Sequence, residues 1–196
     1  CVLRTGDDAI AGYANRDVVV RRCELNTACS AFRFGGTRVL IEDCRAWGPG
    51  TYPIRNSLPK DDLVDGTGDG KGTGRRNMLS FFTYFCDRMC PVRERPGAIV
   101  VRNCRVENCD RFLHYNFSGN ETWQLGSPLG DIRFENVTAT GVRLSLCAYG
   151  AAEDPTSLTF ADCAFAFVGE TDEFLRAAHL RRLELRNVKA DGVRKG

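Results

Sequence analysis

Gly6-Asp7-Asp8-Ala9-Ile10-Ala11 sets two carboxylates side by side at the head of an apolar stretch. Paired carboxylates are the groups that divide proton donation and proton removal on one substrate. Neighbours in a strand point to opposite sides of the chain, so both acids serve one site only where the backbone turns, and Gly6 permits a turn. A turn also offers a plainer use of the pair, in which one side chain caps backbone N–H groups. Farther on, Cys29-Ser30-Ala31-Phe32-Arg33-Phe34 turns Arg33 outward by alternation with Phe32 and Phe34. Tyr52-Pro53-Ile54-Arg55-Asn56 does the same for Arg55, and Phe112-Leu113-His114 for His114. Carboxylate, hydroxyl, guanidinium and imidazole groups thus sit at comparable places in separate segments, and they form a site only when those segments stack.

The stacking follows from a phrase that recurs six times. Val18-Val-Val-Arg-Arg-Cys23, Val39-Leu-Ile-Glu-Asp-Cys44, Ile99-Val-Val-Arg-Asn-Cys104, Ile132-Arg-Phe-Glu-Asn-Val137, Leu158-Thr-Phe-Ala-Asp-Cys163 and Leu183-Glu-Leu-Arg-Asn-Val188 align on their last residue. Two columns are always large and apolar, while the residue between them runs from Val19 to Arg133 and Glu184, which is the period-two signature of a strand with one buried face. After a polar pair that mostly ends in Asn or Asp, a second apolar column (Leu25, Ala46, Val106, Ala139, Phe165, Ala190) turns inward again. Most intervals between copies are about one solenoid repeat long, and the longer ones carry insertions. No copy can bury its apolar face alone, so each must pair with the copies before and after it. The expected fold is all-β, a single parallel β-helix of about six to seven coils over residues 1–196, with one large insertion at about 45–95.

Within that insertion, the glycine-rich run from Asp61 to Gly74 predicts a solvated loop, and Met78 to Phe85 predicts a strand, with an extra coil as one reading. Cys23, Cys44, Cys104 and Cys163 share one inward column with Val137 and Val188, which predicts a ladder of buried thiols rather than a disulfide framework. Cys86 and Cys90 fit zinc spacing poorly, so neither metal nor cofactor is expected. With 27 basic and 25 acidic residues, net +2, the charge gives no argument for a nucleic-acid partner, and no apolar run is long enough to span a bilayer. The sequence opens inside a repeat, which predicts further coils of the same protein upstream of Cys1.

The stretch Gly6 to Ala11 resembles the Gly-Asp-Asp-Cys-Ile-Ala signature of the polygalacturonase family of glycoside hydrolases, which are right-handed parallel β-helices of the pectin-lyase-like type. Cys29 to Gly36 sits at the place of that family's Gly-His-Gly segment, with Ser30 where its His stands. Arg55 lies at the place of its Lys, and its Asn-Thr-Asp motif has no counterpart here. The resemblance implies inverting hydrolysis of a polysaccharide, with Asp8 as general acid, Asp7 as the base that activates water, and Arg55, Arg33, Ser30 and His114 as substrate contacts. A guanidinium suits a uronic-acid carboxylate through its paired donors. The implied partner is a polysaccharide or oligosaccharide, and the implied location secreted or cell-surface. Ser30 lacks the charge and titration of an imidazole, so an altered substrate is expected. A β-helix that binds glycan without cleaving it, and a purely structural module, remain the alternatives.

Overall fold

The computed structural model describes residues 1–54, 76–89, 92–117 and 122–193. The fold is all-β. One 15-stranded sheet curls around the core, every strand pairing in it is parallel, and a three-residue 3-10 turn at Thr122–Gln124 is the one helical element among the described residues. The strands are β1 (Val2–Thr5), β2 (Ile10–Arg21), β3 (Glu24–Thr27), β4 (Ser30–Glu42), β5 (Arg45–Trp47), β6 (Met78–Tyr84), β7 (Gly97–Arg102), β8 (Arg105–Glu107), β9 (Cys109–Asn116), β10 (Asp131–Glu135), β11 (Thr138–Val142), β12 (Leu146–Tyr149), β13 (Thr156–Thr171), β14 (Leu175–Ala178) and β15 (Leu180–Val193).

The columns aligned in the sequence are the registers of the sheet. Val18 pairs with Val39, Val39 with Ile99, Ile99 with Ile132, Ile132 with Leu158, and Leu158 with Leu183. Leu3, Leu25, Ala46, Val106, Ala139, Phe165 and Ala190 form a second unbroken register. Burial in these columns comes from stacking and not from the residue alone. Phe160 is fully buried with a strand on either side, whereas Leu185 in the outermost described strand is 50% exposed. Inside, rings run from one pass of the chain to the next: Phe81 stacks on Phe112 at 5.1 Å, Phe112 meets Phe134 edge-on at 5.0 Å, and Phe134 stacks on Phe160 at 5.1 Å.

The polar pair ahead of the Cys/Val column makes a corner, and its second residue takes left-handed backbone: φ is 55° at Asp43, 54° at Asn103, 51° at Asn136, 55° at Asp162 and 50° at Asn187. Asn and Asp tolerate that region best among residues with a Cβ, which explains their recurrence. Their side chains also bond from pass to pass, Asn103 Nδ2 donating to Asp43 Oδ1 (3.2 Å) and Asn136 Nδ2 to Asn103 Oδ1 (2.9 Å).

Two expectations need correction. Tyr52–Ile54 forms no strand, and the strand beside Ser30–Phe34 is β6, with Phe82 opposite Phe32 and Thr83 opposite Arg33. Pro53 has no N–H to give a ladder, while Phe81 and Phe82 supply the apolar pair that the column requires. β5 and β6 are accordingly regular members of the sheet within the stretch expected to be insertion, and β6 fills its own pass instead of adding one. Arg55 and the glycine-rich run from Asp61 to Gly74 lie outside the described residues.

Candidate functional site

The exterior of β4, β6 and β9 carries a pocket of about 380 Å³, lined by Asp8, Ser30, Arg33, Asp110, His114 and Trp123 among others. A local irregularity in the strands creates it. Ala31-Phe32, Phe81-Phe82 and Phe112-Leu113 are consecutive residues that are both buried, which breaks strict alternation three times at the same register. The side chains flanking the middle pair lean together: Ser80 Oγ lies 2.5 Å from Thr83 Oγ1, which in turn lies 3.2 Å from Ser30 Oγ on the neighbouring strand. The result is a hydroxyl floor between two rows, Ser30–Ser80–Arg111 and Arg33–Thr83–His114.

Asp8 anchors one wall. Its Oδ1 accepts from the Ser30 N–H at 3.1 Å and its Oδ2 from Arg33 Nη1 at 3.3 Å, with the Asp8 side chain only 8% exposed. The Arg33 guanidinium lies 4.3 Å from the ring centre of Phe85 and 5.1 Å from that of Trp123, while its buried Nε has no hydrogen-bond partner among the described residues. Trp123 stays 40% exposed on a turn held by Cys86 N–H, which donates to the Trp123 carbonyl at 2.8 Å. On the far wall, Asp110 is buried, accepting from Asn77 Nδ2 and from Arg143 Nη1 at 3.4 Å, while Arg111 Nη1 donates to the Ser145 carbonyl.

Asp7 behaves differently from Asp8. It is exposed, and its Oδ1 accepts the Asp8 N–H at 2.8 Å, the capping role open to it in a turn. The turn is fixed by its carbonyl, which accepts from Thr5 Oγ1 (2.5 Å) and Thr27 Oγ1 (2.7 Å). Gly6 is required there because a Cβ would strike the Pro53 carbonyl oxygen. Asp7, Asp8 and Cys29 each place a ligand atom within 4.8 Å of the others, an arrangement with the donor types for a cation, although Asp8 is already engaged by two N–H donors. Burial first, then the Asp8 and Asp7 carboxylates, push the Cys29 thiol far above its ordinary value, so Cys29 is no nucleophile near neutrality.

Four of the six residues expected at a site therefore meet in one pocket: Asp8, Ser30, Arg33 and His114. Asp7 stands at its edge, and Arg55 lies outside the described residues. The place expected for Arg55 beside Arg33 is held by Thr83. Sequence reasoning missed Asp110, Arg111, Ser80 and Thr83 as lining residues, because which of them faces the pocket depends on the doubled buried pairs. The signal was present in Phe81-Phe82 and Phe112-Leu113, apolar neighbours in strands that otherwise alternate. No family model, curated protein or solved structure matches the chain.

Proposed function

We propose that the stacked passes form a right-handed parallel β-helix and that its exterior pocket binds a saccharide unit bearing a carboxylate. The observation that carries this reading is Arg33, a cation set beside the exposed indole of Trp123 above the hydroxyls of Ser30, Ser80 and Thr83. A uronic-acid ring presents an apolar C–H face, several hydroxyls and one carboxylate, and the pocket offers a matching partner for each. Its volume falls at the small end of the usual range for ligand sites, which suits one or two sugar units. Titration of the chain with oligogalacturonates, followed by Trp fluorescence and calorimetry, should show saturable binding that neutral oligosaccharides of equal length do not match. Arg33→Met should remove the preference for the acidic ligand, and equal binding of acidic and neutral oligomers would overturn the reading.

Hydrolysis is the second reading, and the exposed carboxylate of Asp7 beside Asp8 favours it. Both Asp8 oxygens accept from N–H donors, so Asp8 must first lose Arg33 to a substrate carboxylate and take up a proton from solvent before it can protonate the leaving oxygen. Substrate binding then frees the acid at the moment it is needed, while Asp7 activates water from the solvent side. Asp8→Asn and Asp7→Asn should each abolish release of reducing ends from an acidic polysaccharide while leaving binding within a few-fold. Undiminished release in either variant refutes the role given to that residue.

A further inference from the structure

The arginines and aspartates that line the exterior pocket do not cancel. Asp8 is matched by Arg33 at 3.3 Å, and Asp110 on the far wall by Arg143 at 3.4 Å. Arg111 lines the same pocket, and its contact is with a neutral group, Nη1 donating to the Ser145 carbonyl. Among the described residues no carboxylate pairs with it. β9, the strand that carries Arg111, lies between β6 and β12, so described strands on both sides set its surroundings.

The hydroxyl floor adds a donor beside it. Two contacts join the hydroxyls of Ser30, Thr83 and Ser80, which uses two of their three hydrogens and leaves one. With Ser30 donating to Thr83 and Thr83 to Ser80, the spare hydrogen is on Ser80, which lines the pocket, is 2% exposed and stands in register opposite Arg111. An unmatched guanidinium next to a spare O–H suits an anion with more than two oxygens. A carboxylate takes the paired guanidinium donors and leaves the hydroxyl unmet, whereas a sulfate ester gives two oxygens to the guanidinium and a third to the hydroxyl. Its single negative charge also equals the one that Arg111 leaves unmatched, while a phosphate monoester carries about two near neutrality.

We propose that Arg111 and Ser80 bind a sulfate ester, so that the ligand of the pocket is a sulfated acidic saccharide with its carboxylate at Arg33. The inference rests on the reading of the pocket as a site for a carboxylate-bearing saccharide. Register sets the two anionic groups apart. Ser30, Ser80 and Arg111 lie level on β4, β6 and β9, so Arg111 is two strand spacings, about 10 Å, from the strand that carries Arg33. That exceeds the width of one sugar ring, and the sulfate therefore belongs to the unit next to the uronic acid.

The test is titration of the full chain, by Trp fluorescence and calorimetry, with uronate–hexosamine disaccharides that carry a sulfate ester on the hexosamine, a phosphate ester there, or neither. The sulfated form should bind at least about tenfold more tightly than the unsulfated one, the effect of a single charge-assisted hydrogen bond. In Arg111→Met that advantage should vanish while the preference for acidic over neutral unsulfated disaccharides, which belongs to Arg33, remains. Arg111→Lys, which keeps the charge without the paired donors, should recover part of it, and Ser80→Ala should lose part. Equal binding of the sulfated and unsulfated forms, an advantage that survives in Arg111→Met, or tighter binding of the phosphate form overturns the proposal. Equal binding of the acidic and neutral unsulfated forms, a separate comparison, overturns the carboxylate at Arg33 and not the sulfate at Arg111.

Discussion

Asp8 and Arg33 come from different passes and form the ion pair on which the pocket geometry depends, so their coupling is the most direct measure of whether the site is assembled as described. Asp8 is 8% exposed in its side chain and Arg33 28%, which puts the pair between an open surface bridge, worth ~0.2–1 kcal/mol, and a fully buried one, where loss of one partner costs ~3–5 kcal/mol. Asp8→Ala removes the Arg33 contact and also the acceptor for the Ser30 N–H, a charge-assisted bond worth ~1.5–3 kcal/mol, for a total of about 2–4 kcal/mol. Arg33→Ala removes the contacts with Phe85 and Trp123 as well as the pair, so neither single variant isolates the interaction. A double-mutant cycle does, and we expect a coupling of about 1–2 kcal/mol, a 5- to 30-fold change in the folding equilibrium. Urea unfolding of the four proteins, read by circular dichroism, gives the cycle, and Trp123 emission should shift in both variants that lack Arg33. A coupling inside the ~0.3–0.5 kcal/mol scatter of independent sites would falsify the arrangement of the pocket wall.

The remaining expectations concern the scaffold and its titration. Phe112→Ala should cost about 3–5 kcal/mol, because Phe112 is fully buried and touches Phe81, Phe134 and Phe165, and a loss below ~1 kcal/mol by urea unfolding would refute the continuous ring stack. Gly35→Ala should push the Phe85 carbonyl away and loosen the ring under Arg33, weakening ligand binding more than Gly50→Ala, whose crowding lies against Thr27 and Ala28; equal effects would refute the link through Phe85. Hydrogen bonding from Arg45 holds the Glu107 carboxyl below its usual 4.5, so its contribution to stability is complete above 4.5 and lost as pH falls through the lower folded value. Glu107→Gln should therefore lower the urea midpoint at pH 7 and flatten its fall on acidification below 4.5, and a parallel fall in both proteins would refute the assignment. Asn103→Ala should destabilise by about 1–2 kcal/mol, losing its bonds to Asp43 and Asn136 at a left-handed position, and Asn103→Gly should recover part of that in thermal melts.

The columns of the sheet were legible in the sequence because alternation in a strand has an exact period of two and parallel stacking keeps like residues level. Leu158 opposite Leu183 and Val39 opposite Ile99 are read from the letters before any coordinate is known. The corner Asn and Asp residues were legible as a polar pair, but their φ values and their bonds from pass to pass were not. Arg33 and His114 could be placed outward by alternation, yet the doubled pair Phe81-Phe82 departs from alternation, and without it Ser80 and Thr83 have no reason to face Ser30.

By itself the sequence determined that repeated strands must stack in parallel, that Cys23, Cys44 and Cys104 share one inward column, and that Asp8, Ser30 and Arg33 could meet only across neighbouring passes. Tertiary structure alone decided which segment lies beside Ser30 to Phe34. Tyr52–Ile54 is nearer along the chain, but Met78–Tyr84 takes the place because its N–H groups complete the ladder and its phenylalanines fill the core. The same packing divided the two adjacent acids. Asp8 turned toward Arg33 and Asp7 toward its own turn, because the bend between β1 and β2 is pinned at the Asp7 carbonyl by Thr5 and Thr27 and leaves Asp8 facing β4.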